Sequence, residues 1–269
     1  MTHKLAFIGA GNMATALING LLEDGYPADS IIASDQLPEK RENLAGSGIH
    51  TTDDNVLAAE SAEVVILAVK PQVLMAVCQE INAMVQQNKP LVISIAAGHT
   101  EASLATRRGR DTPNVRCMPK TPAMVQTAAT VLHANAHTSK DQKHQAESIL
   151  RAVGLTQWLA EEKLMDAATA LSGSGPAYYF LVMEIMEQTA RKMGLSAETA
   201  HLLTLQTALG AARMAIESQD TPEELRKKVT SPGGTTEAAI NSMLENKLDD
   251  IIEQGVLKAQ QRSEELSAK

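Results

Sequence analysis

Aromatic side chains are almost missing from this chain. Two Phe, three Tyr and one Trp make up 2% of 269 residues, against 44% apolar residues in all. Any core must therefore be built from Ala, Leu, Met, Ile and Val, and side chains this small suit closely packed helices somewhere in the chain. Cysteine is limited to Cys78 and Cys117. Two distant thiols exclude a disulfide framework and point to a reducing, cytoplasmic compartment. Positive charge is not in excess either: 24 Lys and Arg against 32 Asp and Glu leave a net charge of −8, which speaks against a nucleic-acid partner. The short basic runs at 107–110 and 226–228 read as solvated surface. No uncharged apolar stretch approaches the roughly 20 residues that a membrane span needs. Residues 1–4 lead straight into a strand-like run, without the pattern of a signal peptide. The seven His show no metal-ligand spacing, so no metal is expected. Repeats and low-complexity tracts are missing as well.

What is present is a regular alternation through the first half. Leu5-Ala6-Phe7-Ile8 reads as a buried strand, followed at once by glycines and by helical periodicity over 13–22. Ile31-Ile32-Ala33-Ser34-Asp35 reads as a second strand before a charged helix over 38–45. Val64-Val65-Ile66-Leu67-Ala68-Val69 is continuous and apolar, the pattern of a central parallel strand, and Pro71 is placed to open the next helix. Segments 91–95, 115–118 and 130–132 supply three more strands. Strands alternating with helices predict a mostly parallel sheet with helices on its faces. Beyond Trp158-Leu159-Ala160 no strand pattern remains: 176–193, 197–218, 235–245 and 248–266 all read as helices, several rich in Ala and Met.

Gly9-x-Gly11-x-x-Ala14 lies between the first strand and the first helix. The first glycine permits a tight turn, the second lets backbone approach a pyrophosphate, and Ala14 lets the helix pack on the strand. Asp35 ends the second strand about 20 residues on, where a ribose contact belongs. The expected organisation is an α/β N-terminal Rossmann domain with a mostly parallel sheet at 1–160, followed by an all-α domain for substrate binding and dimerisation at 161–269. Two readings of Asp35 stand. It accepts from a free ribose 2′-hydroxyl and repels a 2′-phosphate, which favours NADH, or it caps the segment that follows. Ser34, Lys40 and Arg41 offer donors for a phosphate.

Six further segments occur in a fixed order: Phe7-Ile8-Gly9-Ala10-Gly11-Asn12-Met13, Ala68-Val69-Lys70-Pro71, Ser94-Ile95-Ala96-Ala97-Gly98, Arg116-Cys117-Met118-Pro119, Leu171-Ser172-Gly173-Ser174-Gly175-Pro176-Ala177-Tyr178, and Val229-Thr230-Ser231-Pro232-Gly233-Gly234-Thr235-Thr236. On these residues the whole chain resembles the pyrroline-5-carboxylate reductase family. The resemblance implies hydride transfer from NAD(P)H to a cyclic imine, giving L-proline in the last step of proline biosynthesis. It implies that Ile8, Gly9, Ala10, Gly11, Asn12 and Met13 hold the pyrophosphate, and that Ser34 and Asn55 lie near the adenosine ribose. Ala68, Val69, Lys70 and Pro71, with Ala96, Ala97 and Gly98, would line the nicotinamide half. NADPH is the expected cofactor because most of the family is described with NADP, with NADH as a second donor given Asp35. The resemblance also implies at least a homodimer, extending to an oligomer of dimers, whose helical domains intertwine. Where the family continues Met-Pro-Asn-Thr-Pro, this chain has Lys120-Thr121-Pro122 after Met118-Pro119, a cation near the sheet's carboxyl edge.

The segment from Ser231 reads as a turn entering a helix. Its small residues expose backbone N–H groups and partial positive charge, which suits the carboxylate of a small-molecule substrate at Gly233, Gly234, Thr235 and Thr236; an ordinary helix cap is the bland alternative. By resemblance, Thr236 is the catalytic residue and bonds the ring nitrogen, whereas the residues alone leave it as a threonine that caps its own helix. A protonated imine accepts hydride without further activation, so the protein is asked mainly for position and electrostatics. Two other readings compete. A β-hydroxyacid dehydrogenase needs a Lys and an Asn one helical turn apart after a glycine-rich turn, and this chain has Tyr179 and Met183 at those places. A dinucleotide-sensing module without turnover would keep the same glycine loop.

Overall fold

The computed structural model describes residues 3–96, 98–109 and 111–267. They fall into two compact units, 1–173 with 260–269, and 174–259. The first unit alternates β1 (Leu5–Ile8), α1 (Asn12–Glu23), β2 (Ile31–Ser34), α2 (Pro38–Ala45), β3 (His50–Thr52), α3 (Asn55–Glu60), β4 (Val64–Leu67), α4 (Pro71–Glu80), α5 (Asn82–Asn88), β5 (Leu91–Ser94), α6 (Glu101–Arg108) and β6 (Asn114–Met118). After a 3₁₀ turn at Thr121–Val125 come β7 (Ala128–Ala134), α7 (Lys140–Arg151), β8 (Gly154–Trp158), α8 (Leu164–Ala168) and a π-helical turn at Thr169–Gly173.

The strands form one sheet in the order β3-β2-β1-β4-β5-β6-β7-β8. β1 to β6 are mutually parallel, β7 runs antiparallel to β6, and β8 is parallel to β7. This is the α/β architecture with helices on both faces that the alternation predicts. Alternate residues of each central strand face opposite cores. Phe7, Val64, Ile66 and Ile93 pack with Leu17 and Ile18 of α1 and Leu150 of α7. Ala6, Ile8, Val65 and Val92 pack with Ala58, Leu74 and Leu104 from α3, α4 and α6. Both sides of β1 and β4 are fully buried, which is why their sequences read as unbroken apolar runs.

The sequence reading missed β3 and β8. Both are edge strands, and their burial alternates or fails, so neither presents an apolar run. Pro71 does open α4, at its first position.

The second unit is helical: α9 (Gly175–Lys192), α10 (Ala197–Glu217), α11 (Pro222–Lys228), α12 (Thr235–Glu245) and most of α13 (Leu248–Ser267). Local signals start these helices. Ser196 caps α10, and Thr221 with Glu224 closes a capping box ahead of Pro222 in α11. Burial is slight. α11, α12 and α13 contain no buried residue, and α10 only Ala200 and Thr204.

Candidate active site

In this strand order β2 lies on one side of β1 and β4 on the other, so the connections diverge beside β1 and leave a crevice at the carboxyl edge of the sheet. Gly9 sits at that point. Its N–H donates to the Ser34 carbonyl at 2.8 Å, and the Ala68 N–H donates to the Ile8 carbonyl at 2.8 Å, so the loops after β1, β2 and β4 are tied together. The backbone at Gly9 has φ +101°, and a Cβ there would stand 2.7 Å from the Ala68 carbonyl oxygen. Both the left-handed conformation and the close approach demand glycine.

Gly11 faces the other way. Nothing lies within 4 Å of where its Cβ would be. It is the N-cap of α1 and makes no side-chain cap, and the first turn of α1 carries no acidic residue. The leading N–H groups of a helix have no intrahelical acceptor and carry partial positive charge. Beside them opens a cleft of about 290 Å³ lined by Ala10, Asn12, Thr15, Asn19, Lys40 and Met124. Open backbone at Gly11, the free leading donors of α1 and the lack of an acidic residue in its first turn fit the pyrophosphate of a dinucleotide.

Asp35 is held from three sides. It accepts from the Ala10 N–H at 3.0 Å, the Leu37 N–H at 3.0 Å and Lys40 Nζ at 3.0 Å, while Arg41 donates to its backbone carbonyl at 2.7 Å. Partial burial alone would raise this carboxyl, but the two amides and the ammonium outweigh it and hold the pKa below the ordinary carboxylate value. Asp35 therefore braces the glycine loop, and it brings two cations to the end of β2 with its own charge already matched by Lys40. Ser34 has no exposed surface. Its hydroxyl donates to Asn55 Oδ1 at 2.7 Å, and Asn55 donates onward to Glu80 at 2.8 Å. The pair is thus spent on internal bonds that set the spacing of the β2 and β3 ends.

On the β4 and β5 side, Ala68 and Val69 are half-buried, Lys70 is exposed as the N-cap of α4, and Ala96 is buried. Ala97 lies outside the described residues. Gly98 follows Ala96 in the same loop, and His99 Nε2 meets the Pro71 carbonyl at 2.9 Å, joining the loop after β5 to the start of α4. The sequence reading missed His99: a single histidine between loops carries no spacing signal. It also missed Met124, brought to the cleft by a 3₁₀ turn that packs on α1.

In the helical unit, Gly234 is the N-cap of α12 and no side chain caps that helix. Thr236 is half-buried in the first turn, so its hydroxyl is not a helix cap, the bland reading of that residue. The Gly233 N–H is already engaged, donating to Glu237 Oε2 at 2.8 Å. The open amides at this helix start are therefore those of its first turn, beginning at Thr235.

Comparison with known proteins decides the kinship. A family profile described as "Pyrroline-5-carboxylate reductase dimerisation" matches residues 162–266, and one described as "NADP oxidoreductase coenzyme F420-dependent" matches 4–98. A curated pyrroline-5-carboxylate reductase of Pseudomonas aeruginosa is 51% identical over 267 residues, covering 99% of this chain and 97% of that protein. The chain belongs to the pyrroline-5-carboxylate reductase family. A second curated reductase of this name, from Pasteurella multocida, is 44% identical with 98% and 97% coverage. Among solved structures, the pyrroline-5-carboxylate reductase of Coxiella burnetii superposes with TM-score 0.96 at 44% identity, covering 99% of both chains. The pyrroline carboxylate reductase of Plasmodium falciparum, solved with NADP bound, gives 0.87 at 28% identity with 98% of each chain covered. Kinship over the full length removes the β-hydroxyacid dehydrogenase reading.

Proposed function

We infer that this protein reduces pyrroline-5-carboxylate to L-proline with NAD(P)H. One observation supports the reading above the others. The glycine crevice of a dinucleotide-binding sheet lies in the same chain as full-length kinship to reductases of this name.

The reduced nicotinamide supplies the hydride that the imine carbon accepts. The chain's own part is binding and charge. The α1 start and the loop at Ile8, Gly9, Ala10, Gly11, Asn12 and Met13 hold the pyrophosphate. Ser34 and Asn55 shape the ribose side through their mutual bond. Ala68, Val69, Lys70, Pro71, Ala96 and Gly98 form the wall on which the nicotinamide rests. In the helical unit, the Thr236 hydroxyl bonds the ring nitrogen, and the first-turn amides from Thr235 onward meet the substrate carboxylate, while the Gly234 N–H is spent on the Ser231 carbonyl and shapes the turn. Gly233 contributes by keeping the turn closed on Glu237. NADPH is the better donor, because Lys40 balances Asp35 and Arg41 stands beside it. The enzyme works as a dimer or an oligomer of dimers, and in the cytoplasm, the compartment that two cysteines outside any disulfide suit. No helix among the described residues is long and apolar enough to cross a membrane.

Oxidation of NADPH by the purified protein, with and without pyrroline-5-carboxylate, tests this reading. A dinucleotide sensor binds the cofactor and leaves it reduced; an enzyme consumes it only when the imine is present.

A further inference from the structure

A cavity at the far edge of the sheet plays no part in the reaction proposed above. β7 runs antiparallel to β6, and β8 is parallel to β7, so both strands end at the edge opposite the glycine crevice. There a cavity of about 500 Å³ is lined by His133 of β7, Lys140, Lys143, His144 and Glu147 of α7, and Trp158 of β8. A volume of this size is that of a small-molecule site. The helical residues among these are spaced three or four apart and so share one face of α7. His133 Nδ1 meets the Leu159 carbonyl at 3.2 Å, which ties the β7 wall to the segment after β8.

Charge in this cavity is unbalanced. Glu147, one helical turn after Lys143, is the carboxylate placed to neutralise it, but it is engaged elsewhere. One oxygen accepts from Arg151 at 2.6 Å and the other from the Trp158 indole N–H at 3.1 Å. Lys143 lies instead over the Trp158 ring, 5.8 Å from its centroid. Among the described residues neither Lys140 nor Lys143 is in an ion pair, whereas Arg151, Lys163, Lys227 and Lys228 each are. Both lysines also stand at the start of α7, the positive end of its dipole, where cations are unfavourable. Asp141 of the same turn is exposed and does not line the cavity. In a chain of net charge −8, two unpaired cations therefore face one concave surface, and an anion bound there offsets their repulsion.

We propose that this cavity binds a small phosphate ester, with its phosphate between Lys140 and Lys143 and its organic part against Trp158. A phosphate ester brings nearly two negative charges and three acceptor oxygens at neutral pH, which matches two ammonium groups better than the single charge of a carboxylate does. The charge-assisted bonds supply affinity, and the cavity leaves room for an organic group beside the indole.

Trp158 is the single tryptophan of the chain, so its fluorescence reports on this cavity alone. The full-length protein, with its dinucleotide crevice saturated by NADP⁺, is titrated at neutral pH with phenyl phosphate, inorganic phosphate and phenol, and binding is read by calorimetry and by tryptophan emission. Phenyl phosphate binds at one site with a Kd of about 10–500 µM and changes the emission; inorganic phosphate binds more weakly, and phenol does not bind. Lys140→Gln with Lys143→Gln weakens phenyl phosphate by about 10- to 100-fold. Removing the same charge from the helical unit, with Lys227→Gln and Lys228→Gln, changes its Kd by no more than about twofold, the distance and screening between exposed charges being large. Both double variants keep the melting temperature of the unaltered protein. Three results overturn the proposal: no binding of phenyl phosphate up to about 10 mM, binding that leaves the Trp158 emission unchanged, or equal weakening in the two double variants.

Discussion

Asp35 shows how much a single side chain can hide from its sequence. Its position at the end of β2 was legible, and of the two readings of it, ribose contact and local cap, the structure bears on the second, since the carboxylate accepts from the Leu37 amide just after it. What spacing could not reveal is that its carboxylate is shared among the Ala10 amide, the Leu37 amide and Lys40. The expectation that it repels a 2′-phosphate loses force once Lys40 balances its charge. Asp35→Ala should therefore weaken both NADPH and NADH, by about 5- to 50-fold in Kd, because the glycine loop loses its brace. Lys40→Ala should instead lower efficiency with NADPH more than with NADH. Isothermal titration with each cofactor checks the first outcome and steady-state kinetics the second; a loss confined to NADH in Asp35→Ala would place the carboxylate on the ribose after all. The pH dependence has a definite sign. The folded pKa of Asp35 is depressed, so its contribution to stability is complete above the unfolded value of about 4 and is lost as pH falls through the folded one. Melting temperatures measured from pH 7 to pH 3 should fall more steeply for the unaltered protein than for Asp35→Asn. Thr236→Val, nearly isosteric, removes one hydroxyl. A bond to the partly charged ring nitrogen should be worth about 1.5–3 kcal/mol, or roughly 10- to 150-fold in kcat/KM. Since no side chain caps α12, the melting temperature should scarcely move. Kinetics and a melting curve on one preparation separate the two effects, and a destabilised variant with intact turnover would remove Thr236 from the site.

At the scale of elements, legibility followed burial. β1, β4 and β5 are buried on every residue and read as plain apolar runs. β3 and β8 lie at or near water and did not. The glycine loop was readable because its demands are local, whereas the cleft beside it depends on Met124, more than 100 residues away in the chain, and on Lys40 folding back over Asp35. Long-range packing of this kind leaves no spacing pattern. Gly20 is another such case, unremarkable in sequence as a glycine inside α1. A Cβ there would stand 2.4 Å from the Ala152 carbonyl oxygen at the end of α7, a backbone atom that cannot swing aside. Gly20→Ala should lower stability by about 1–3 kcal/mol despite its better helix propensity, read as a drop in urea midpoint. A stabilised variant would mean that α1 and α7 are not packed this closely. Cys117 gives an independent check of the same core. It is 2% exposed and burial pushes its thiol far above the ordinary range, so thiol reagents should label it only after unfolding.

At the scale of the whole chain, the two units differ in kind. The first has two buried cores on either side of its sheet. The helical one leaves Phe180 63%, Leu209 61% and Ile216 84% exposed, with nothing buried in α11, α12 or α13. An apolar surface of this extent is not stable alone in water, and residues 162–266 match a dimerisation family. The Ala- and Met-rich helices agreed with such an assembly, though they could not say which faces meet. Light scattering at micromolar concentration should report a dimer or a multiple of one; a stable particle of 28.7 kDa would contradict it. The central claim is the reaction itself, and steady-state oxidation of NADPH and NADH by the purified protein tests it most directly. The account predicts imine-dependent consumption of NADPH with kcat/KM for pyrroline-5-carboxylate of about 10⁴ M⁻¹s⁻¹ or more, with L-proline as the product. A folded, dimeric protein that binds NADPH yet leaves it unoxidised when the imine is added would contradict it.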